Sequence, residues 1–305
     1  MIPRLLVAML ALAANTPASG ATFSWRLVAK RTFEHQATYA GFSDPRSGIT
    51  VGPHGMVFHT TDGGATWKEA ANHTGGRNAL ELHPEGFAWH AGHAEVRRSF
   101  NGGRTWYLAA DFARDLENAL HLSFADEARG FIATRGQLAI TYDGGLSWAD
   151  VRLPAEAGEI AAVSMTLAPI RPGSTSLETS FTRREIVGRL LDVHGRLWVT
   201  KDGGTSWSEM ESPVAGEALY VAGRAPTAAL RFASTGEGVL TAFVSQGEGW
   251  QCRAYRWAAG ANRWQEEALP IAERGTLFLS ADASLLTWKS LDRNELRLYA
   301  PRAPR

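Results

Sequence analysis

The chain has 305 residues and carries 31 basic and 31 acidic side chains, so its formal net charge is zero. A neutral chain lacks the basic footprint typical of bulk nucleic-acid binding, and we therefore expect no nucleic-acid partner. Cys252 is the only cysteine, which excludes a disulfide within the chain. A chain of this length can bury a core that is stable without one.

The first segment of the chain is typical of a secretory signal peptide. It contains Arg4, an apolar run from Leu5 to Ala14 and a series of small residues that ends at Ala21. The apolar run is too short to span a bilayer, which takes about 20 apolar residues. We therefore predict that residues 1–21 are removed on export. Residues 22–305 are predicted to form a single periplasmic or extracellular domain without a transmembrane segment.

An eight-residue unit with the pattern (Ser/Thr)-x-(Asp/Asn)-Gly-Gly-x-(Ser/Thr)-Trp occurs four times in this domain. The copies occupy residues 60–67, 99–106, 141–148 and 200–207, and we call them the Gly-Gly boxes. Asp-Gly or Asn-Gly between apolar stretches is a strong hairpin signal, because glycine reaches positive φ without a Cβ clash. The Asp or Asn side chain can accept hydrogen bonds from loop amides. The Trp begins the next strand and can pack beneath the turn.

Three positions of each box are predicted to be structural: the Asp or Asn, the second Gly and the Trp. These residues are Asp62, Gly64, Trp67, Asn101, Gly103, Trp106, Asp143, Gly145, Trp148, Asp202, Gly204 and Trp207. The alternative interpretation makes the three aspartates catalytic or metal-binding, but Asp beside Gly is ordinary turn chemistry. No histidine or cysteine spacing is typical of a metal site, so we predict neither a metal nor a cofactor.

The boxes belong to a longer repeat in which each box follows two strands and precedes a third. The Trp residues of successive boxes lie 39, 42 and 59 residues apart. A period near 40 with four short strands per unit is the signature of a β-propeller blade. A fifth, degenerate unit near residues 257–264 keeps the final Trp but loses Asp-Gly-Gly. With a closing unit this favours six blades and an insertion at 168–180, although the longest interval allows part of a seventh blade.

The N-terminal stretch from Phe23 to Val28 is similar to the strand that follows each box, since its Trp25 begins a comparable sequence. Three further strands are predicted near the C-terminus, at 276–279, 285–289 and 295–299. Pairing the N-terminal strand with them would close the ring and remove open sheet edges. The predicted fold is therefore an all-β propeller of four-stranded antiparallel blades, closed by an N-terminal strand on the C-terminal blade.

The boxes resemble the Asp-box repeat, also called the bacterial neuraminidase repeat. The best copy, GITVGPHGMVFHTTDGGATW at residues 48–67, is similar to repeats of propellers related to the photosystem II stability and assembly factor. The assembly-factor resemblance implies an exported protein that holds a partner, often a membrane-protein segment, during assembly. Asp boxes also occur in sialidases and other glycosidases, so the repeat alone implies no activity.

The sequence offers little support for catalysis. The Arg-Ile-Pro-like motif that sialidases place before the first Asp box is missing, and Ile170-Arg171-Pro172 follows the third box instead. Other glycosidases use two carboxylates at a set separation. Candidate carboxylates, interpreted as residues near inter-strand turns, are Asp44, Glu81, Asp126, Glu127 and Glu159. We predict no catalytic residue, and enzymatic activity stays open.

Five arginines are candidate partner-binding residues. Arg97 and Arg98 precede the second box, Arg171 lies in the insertion, and Arg183 and Arg184 follow it. Arginine is enriched at interface hot spots, although solvated edge-strand charges are the alternative interpretation.

Two hypotheses remain for the function. The first is a non-catalytic exported scaffold for an envelope or membrane protein, which predicts a broad loop face. The second is a sialidase-like or other glycoside hydrolase, or a glycan-binding propeller. It predicts clustered carboxylates and exposed aromatic residues over one mouth of the channel.

Overall fold

The computed structural model describes residues 24–33, 37–52, 55–71, 79–92, 95–111, 119–168, 185–220, 227–247 and 249–302. These residues form 24 strands, arranged in six four-stranded antiparallel sheets. None of the described residues belongs to a helix long and apolar enough to cross a membrane. The predicted signal peptide at 1–21 lies outside the described residues.

Each sheet is one blade of a β-propeller. In blades I to V the strands run outward from the central channel in chain order, and in blade VI the N-terminal strand of the chain takes the outermost position. Blade I comprises β2 (Tyr39–Phe42), β3 (Gly48–Val51), β4 (Val57–Thr60) and β5 (Lys68–Glu69). Blade II comprises β6 (Ala79–Leu82), β7 (Ala88–Gly92), β8 (Glu95–Ser99) and β9 (Tyr107–Asp111). Blade III comprises β10 (His121–Phe124), β11 (Gly130–Ala133), β12 (Leu138–Thr141) and β13 (Ala149–Val151). Blade IV comprises β14 (Ile160–Leu167), β15 (Ile186–Asp192), β16 (Leu197–Thr200) and β17 (Ser208–Met210). Blade V comprises β18 (Ala228–Phe232), β19 (Gly238–Gln246), β20 (Gly249–Ala258) and β21 (Arg263–Glu267). Blade VI comprises β22 (Gly275–Leu279), β23 (Leu286–Ser290), β24 (Glu295–Arg302) and β1 (Ser24–Thr32).

The predicted six-bladed ring is confirmed, and the allowance for a seventh blade is wrong. Among the described residues, the long interval between the third and fourth boxes comprises the outer strand of blade III and the first three strands of blade IV, and no further blade. The two inner strands of blade IV, β14 and β15, are the longest inner pair of the boxed blades and are joined between Ala168 and Glu185. Most of the predicted insertion at 168–180 lies outside the described residues.

The predicted closure of the ring by the N-terminal strand is also confirmed. Strand β1 pairs antiparallel with β24, so the last blade takes its outer strand from the start of the chain. The Trp25 side chain is 3% exposed, and its indole Nε1 donates a hydrogen bond of 2.6 Å to Glu267 of the neighbouring blade. The Trp25 amide also bonds the Ala268 carbonyl at 2.8 Å. The closing strand therefore joins blades V and VI.

The ring has two faces that carry different connections. We call the box face the one that holds the turns after the first and third strands of a blade, which include the Gly-Gly boxes. Backbone bonds tie these two turns together, from Gly63 to Arg46 and from Gly144 to Ala128, both at 2.8 Å. The other face, the linker face, carries the connections between blades and the turns after the second strands.

The four boxes share one hydrogen-bond pattern, which explains their residue types. In the first box the Thr60 hydroxyl donates to Asp62 Oδ1 at 2.8 Å and accepts the Gly64 amide at 2.9 Å. The Asp62 carboxylate accepts the amide and the hydroxyl of Thr66 at 2.9 and 2.6 Å. Both glycines have positive φ, +72° at Gly63 and +82° at Gly64. The pattern closes each turn with its own side chains.

The second glycine of a box also sets the contact between neighbouring blades. A Cβ on Gly103 would lie 2.3 Å from Ile49 of blade I, and a Cβ on Gly204 would lie 2.2 Å from Val151 of blade III. Each box therefore rests on the preceding blade where no side chain fits. The indole N–H of Trp106 donates a hydrogen bond of 2.9 Å to the Gly103 carbonyl. This bond holds the indole beneath the turn of the same box.

We predict that the fourth box becomes less stabilising in acid. The hydroxyl and amide of Ser206 and the hydroxyl of Thr200 lower the pKa of Asp202 to about 2, against about 3.9 for an unfolded aspartate. A depressed folded-state pKa contributes stability above the unfolded value, and this contribution is lost as the pH falls toward the folded value. Asp202→Asn should therefore lower the Tm at pH 5 and leave it nearly unchanged at pH 2, measured by thermal unfolding. Glu209→Gln, an exposed carboxylate near the same box, is the charge-matched control, and a Tm difference independent of pH would contradict the prediction.

Candidate binding cleft at the box face

A buried ion pair spans the central channel. Glu81 on β6 of blade II and Arg231 on β18 of blade V belong to opposite blades of the ring. Arg231 Nη1 donates to Glu81 Oε1 at 2.8 Å, and Nη2 donates to Oε2 at 2.5 Å. The two residues are 0% and 6% exposed, respectively. Such a bidentate pair holds the opposite walls of the channel at a set distance.

Other inner strands complete this network. Ser123 on β10 accepts a hydrogen bond from Arg231 Nη1 at 2.8 Å and another from the Met165 amide at 2.8 Å. His83 Nε2 lies 3.4 Å from Glu81 Oε1 and 3.1 Å from the Phe124 carbonyl oxygen. Blades II, III, IV and V therefore share one polar cluster at the channel axis.

On the linker side of the ion pair, the channel holds little space. A cavity of about 30 Å³ there is lined by Tyr39 and His121, among other residues of the inner strands. Burial, followed by the Glu81 charge, raises the pKa of Tyr39 above its usual range. Burial and the nearby Arg135 lower the pKa of His121 to about 4, so this imidazole is neutral near pH 7. A cavity of this volume has room for about one or two waters and is too small for a larger ligand.

On the box face, a much larger cleft opens beside His83. Its volume is about 740 Å³, within the range of roughly 300–1,000 Å³ that is usual for ligand pockets. It is formed by the turns after the first strands of blades II, III and V, by the third box and by the end of β14. The described lining residues are His83, Glu85, Phe87, Ala125, Asp126, Glu127, Ala128, Arg129, Tyr142, Leu167 and Ser234.

The carboxylates of the cleft have different surroundings. Asp126 forms an ion pair with Arg129 and accepts the amides of Ala128 and Arg129 at 3.0 and 2.8 Å. Burial opposes ionisation of Asp126, but the Arg129 hydrogen bonds outweigh it and keep the pKa of this carboxyl below its usual range. The Glu85 side chain is 68% exposed, with an oxygen 3.9 Å from His83 Nδ1, and Glu127 is exposed on the neighbouring turn.

Two aromatic side chains, Phe87 and Tyr142, line the cleft, and ring contacts continue from Phe87 along blade II. Phe87 lies edge-to-face on Phe100, with ring centroids 6.0 Å apart, and Phe100 lies 6.2 Å from Tyr107. Phe100, Tyr107 and Tyr142 are each more than half exposed. We call Phe87, Phe100, Tyr107 and Tyr142 the aromatic rim. Large exposed rings in one area are typical of recognition surfaces.

The structure separates the predicted arginines. The Arg98 guanidinium lies 5.1 Å above the Phe100 ring and therefore reaches the aromatic rim. Arg97 points to the opposite face of β8 and pairs with Glu95 at 2.9 Å. Arg171, Arg183 and Arg184 lie outside the described residues. A partner-binding role for the five arginines stays a prediction.

The predicted carboxylates do not converge as a group. Asp44 accepts the amides of Arg46 and Ser47 within its own turn, and Glu159 lies 3.6 Å from Arg135. Glu81, predicted to lie near an inter-strand turn, is the third of the four residues of β6, and its side chain lies at the channel axis. Only Asp126 and Glu127 of this set line the cleft.

Sequence reasoning missed Arg231, Ser123 and the aromatic rim. One signal was present, since Glu81 and Arg231 interrupt otherwise apolar innermost strands with the sequences ALEL and AALRF. The box residues predicted to be structural lie in turns at the box face, at the ring periphery. Among the described residues, no group of three or more His, Cys, Asp or Glu side chains could hold a metal ion.

Solved structures of other proteins align with most of this chain. YCF48 bound to a D1 peptide aligns with a TM-score of 0.46 and 16% identity over 94% of this chain and 99% of YCF48. The GH74 xyloglucanase of Xanthomonas campestris aligns with a TM-score of 0.54 and 19% identity, over 92% of this chain and 47% of the enzyme. A structural genomics protein of unknown function from Bacteroides thetaiotaomicron gives a TM-score of 0.61 and 6% identity, over 92% of this chain and 76% of that one.

At 19% and 6% identity, the two alignments with TM-scores above 0.5 indicate a shared fold and nothing about a shared activity. No protein-family model matches the sequence, and no curated protein matches it.

Proposed function

We propose that this chain is a non-catalytic binding scaffold that holds a segment of another protein in the box-face cleft. The observation that carries the proposal is the cleft itself, about 740 Å³, bordered by exposed aromatic rings above a channel spanned by an ion pair. Aromatic residues carry much of the energy of protein interfaces, because they bury a large area at a small entropic cost. A rigid ring that presents such a cleft favours capture of an extended peptide segment.

The state of the carboxylates supports binding over glycoside hydrolysis. A glycosidase needs a carboxylic acid that stays protonated to act as general acid and a second, ionised carboxylate. Glu81 is held by both guanidinium nitrogens of Arg231, and Asp126 is held by Arg129 with a lowered pKa. Of the described cleft carboxylates, this leaves Glu85 and Glu127 on the exposed rim. Such a rim suits contact with a ligand better than proton transfer.

A glycan is the second candidate ligand, and one observation favours it. Phe87 and Tyr142 stand in the same cleft as Glu85 and Glu127, and aromatic faces with polar neighbours also suit sugar rings. The two candidates differ in what Tyr142→Ala would do. If Tyr142→Ala abolishes capture of a protein partner, the result supports the protein-binding scaffold. If it abolishes oligosaccharide binding alone, the result supports a glycan-binding propeller.

We also propose that the chain is exported by means of residues 1–21, so that its partner is an envelope or membrane protein. The basic start, the short apolar run and the small residues that end at Ala21 support this location. The hydrogen bonds of the boxes support their assignment as Asp boxes with a structural role. Intact-mass measurement of the exported protein tests the cleavage site, and a mass that retains residues 1–21 would contradict it.

We predict that a photo-crosslinking residue at position 142 captures one recurrent envelope protein, and that the same residue at position 250 does not. Tyr142 stands in the cleft and is 58% exposed, whereas Trp250 is 36% exposed on the linker face. Crosslinked proteins are identified by mass spectrometry, and Phe87→Ala should reduce their yield several-fold.

Leu146→Ala is the matched control, since Leu146 is 50% exposed in the third box and does not line the cleft. The same variants are titrated with an oligosaccharide panel by tryptophan fluorescence. Capture that is equal at both positions, or that is unaffected by Phe87→Ala, would overturn the scaffold assignment.

A further inference from the structure

A second pocket lies at the outer edge of the ring, between blades I and II, away from the cleft. Its volume is about 220 Å³, far more than the roughly 10–15 Å³ that one water requires. The described lining residues are His59, Thr60, Thr61, Thr66, Lys68 and Arg104. They supply two permanent cations, one imidazole and three hydroxyl groups, and no carboxylate.

The fold brings these cations together from two blades. His59 on β4 is directly opposite Lys68 on β5 and opposite Ile49 on β3. Cross-strand partners share a face of the sheet, and Ile49 is the residue that contacts the second box at Gly103. His59 and Lys68 therefore face blade II, where Arg104 follows Gly103 in the chain.

The equivalent positions of the other boxed blades lack this combination. Between blades II and III they are Arg98, Tyr107 and Leu146, and between blades III and IV they are Ile140, Ala149 and Thr205. The repeat therefore does not require polar side chains here, since apolar and aromatic residues fill the same positions. The cationic set is a property of the first groove and not of the fold.

The two cations and the imidazole of this pocket have unused hydrogen-bonding capacity. No ion pair involves Lys68 or Arg104 among the described residues, and His59 Nδ1 is buried without a hydrogen-bond partner. The nearest box carboxylate, Asp62, is engaged by the hydroxyls of Thr60 and Thr66. Burial, followed by the charges of Arg104 and Lys68, lowers the pKa of His59. An anion placed among these groups would relieve that repulsion.

We propose that the groove between blades I and II is a binding site for a tetrahedral oxyanion, a phosphate or sulfate group. Lys68 and Arg104 supply the charge, and Arg104 can contact two oxygens at once. The Thr61 hydroxyl and the His59 ring supply the remaining donors, since the Thr66 hydroxyl already donates to Asp62. The site is independent of the cleft, because the two share no lining residue.

The experiment titrates the whole chain with inorganic phosphate and with sulfate by isothermal calorimetry, in a chloride background. We expect saturable binding to one site, and Arg104→Gln should raise the Kd about tenfold or more, because a charge-assisted hydrogen bond is lost. Lys68→Gln should weaken binding in the same direction. Lys201→Gln, which removes an exposed cation from the fourth box, is the matched control and should change nothing.

A second measurement places the ion in the groove. The imidazole proton signals of His59, assigned with His59→Asn, should titrate at higher pH when phosphate is present, since a nearby anion favours the charged ring. Titration with glycerol 3-phosphate, a phosphate ester, distinguishes two sources of the oxyanion. Tighter binding than inorganic phosphate indicates that the natural ligand is a phosphoryl group on a larger molecule, and weaker binding indicates that it is the free ion. Non-saturable binding, equal affinity in Arg104→Gln, or an unmoved His59 titration would overturn the proposal.

Discussion

Replacing Arg231 with methionine is expected to lower the free energy of unfolding by about 3–5 kcal/mol, the usual cost of leaving one member of a buried ion pair without its partner. Glu81 would remain at the channel axis, fully buried, with its bidentate donor removed. Ser123 would also lose the donor that joins blade III to the cluster. Urea unfolding followed by tryptophan fluorescence measures the change.

The double variant Glu81→Leu, Arg231→Met tests whether the loss of stability comes from leaving Glu81 charged and unpaired. Replacing both charges of a buried pair with apolar groups is often neutral or stabilising, so this protein should recover most of the stability lost in Arg231→Met. Glu127→Gln, which removes an exposed carboxylate at the cleft, should stay within about 0.5 kcal/mol of the wild type. If Arg231→Met unfolds like the wild type, the pair does not join opposite blades in the way we describe.

Trp25→Ala is expected to cost about 3–5 kcal/mol, the range for truncating a buried aromatic side chain. The loss has two parts. Removal of the indole leaves a cavity beside Trp288 and Tyr299 in the core between blades V and VI. Glu267 also loses the indole N–H that donates to it at 2.6 Å. Arg256 still bonds this carboxylate at 2.5 Å, so Trp25→Phe should lose only part of the stability. Chemical denaturation of the three proteins measures both parts.

Leu27→Ala is the matched control on the same strand, because the Leu27 side chain is 49% exposed. Its stability should lie within about 0.5 kcal/mol of the wild type. Equal effects of Trp25→Ala and Leu27→Ala would mean that the N-terminal strand does not close the ring. Hydrogen exchange of β24 gives a second test, since an unpaired β24 would lose the protection of its amides.

Binding and stability are expected to separate in this molecule. The cleft residues Phe87 and Tyr142 belong to turns on the box face, whereas Glu81 and Trp25 hold the blades together. A variant such as Tyr142→Ala should therefore change partner capture with little change in Tm. The Tyr142 side chain is 58% exposed on a turn of a rigid scaffold, so truncating it removes little core packing.

Local turn chemistry explains why the sequence alone predicts the ring. Each Gly-Gly box ends one strand and starts the next with bonds made inside its own eight residues, such as Thr60 to Gly64. Repetition of such a unit reveals the period, and the period indicates the blade. The resemblance of the segment at Trp25 to the strand after a box likewise predicts the closing strand, since the fold repeats one local unit.

Tertiary structure alone decided what lies between the blades. Glu81 and Arg231 are 150 residues apart in the chain, and no local pattern shows that two inner strands face each other across a channel. The cleft joins turns from three blades, and the anion pocket joins His59 with Arg104 across a blade boundary. The repeated sequence determines the fold of each blade. Which side chains from different blades come into contact depends on the order in which the six blades close into a ring.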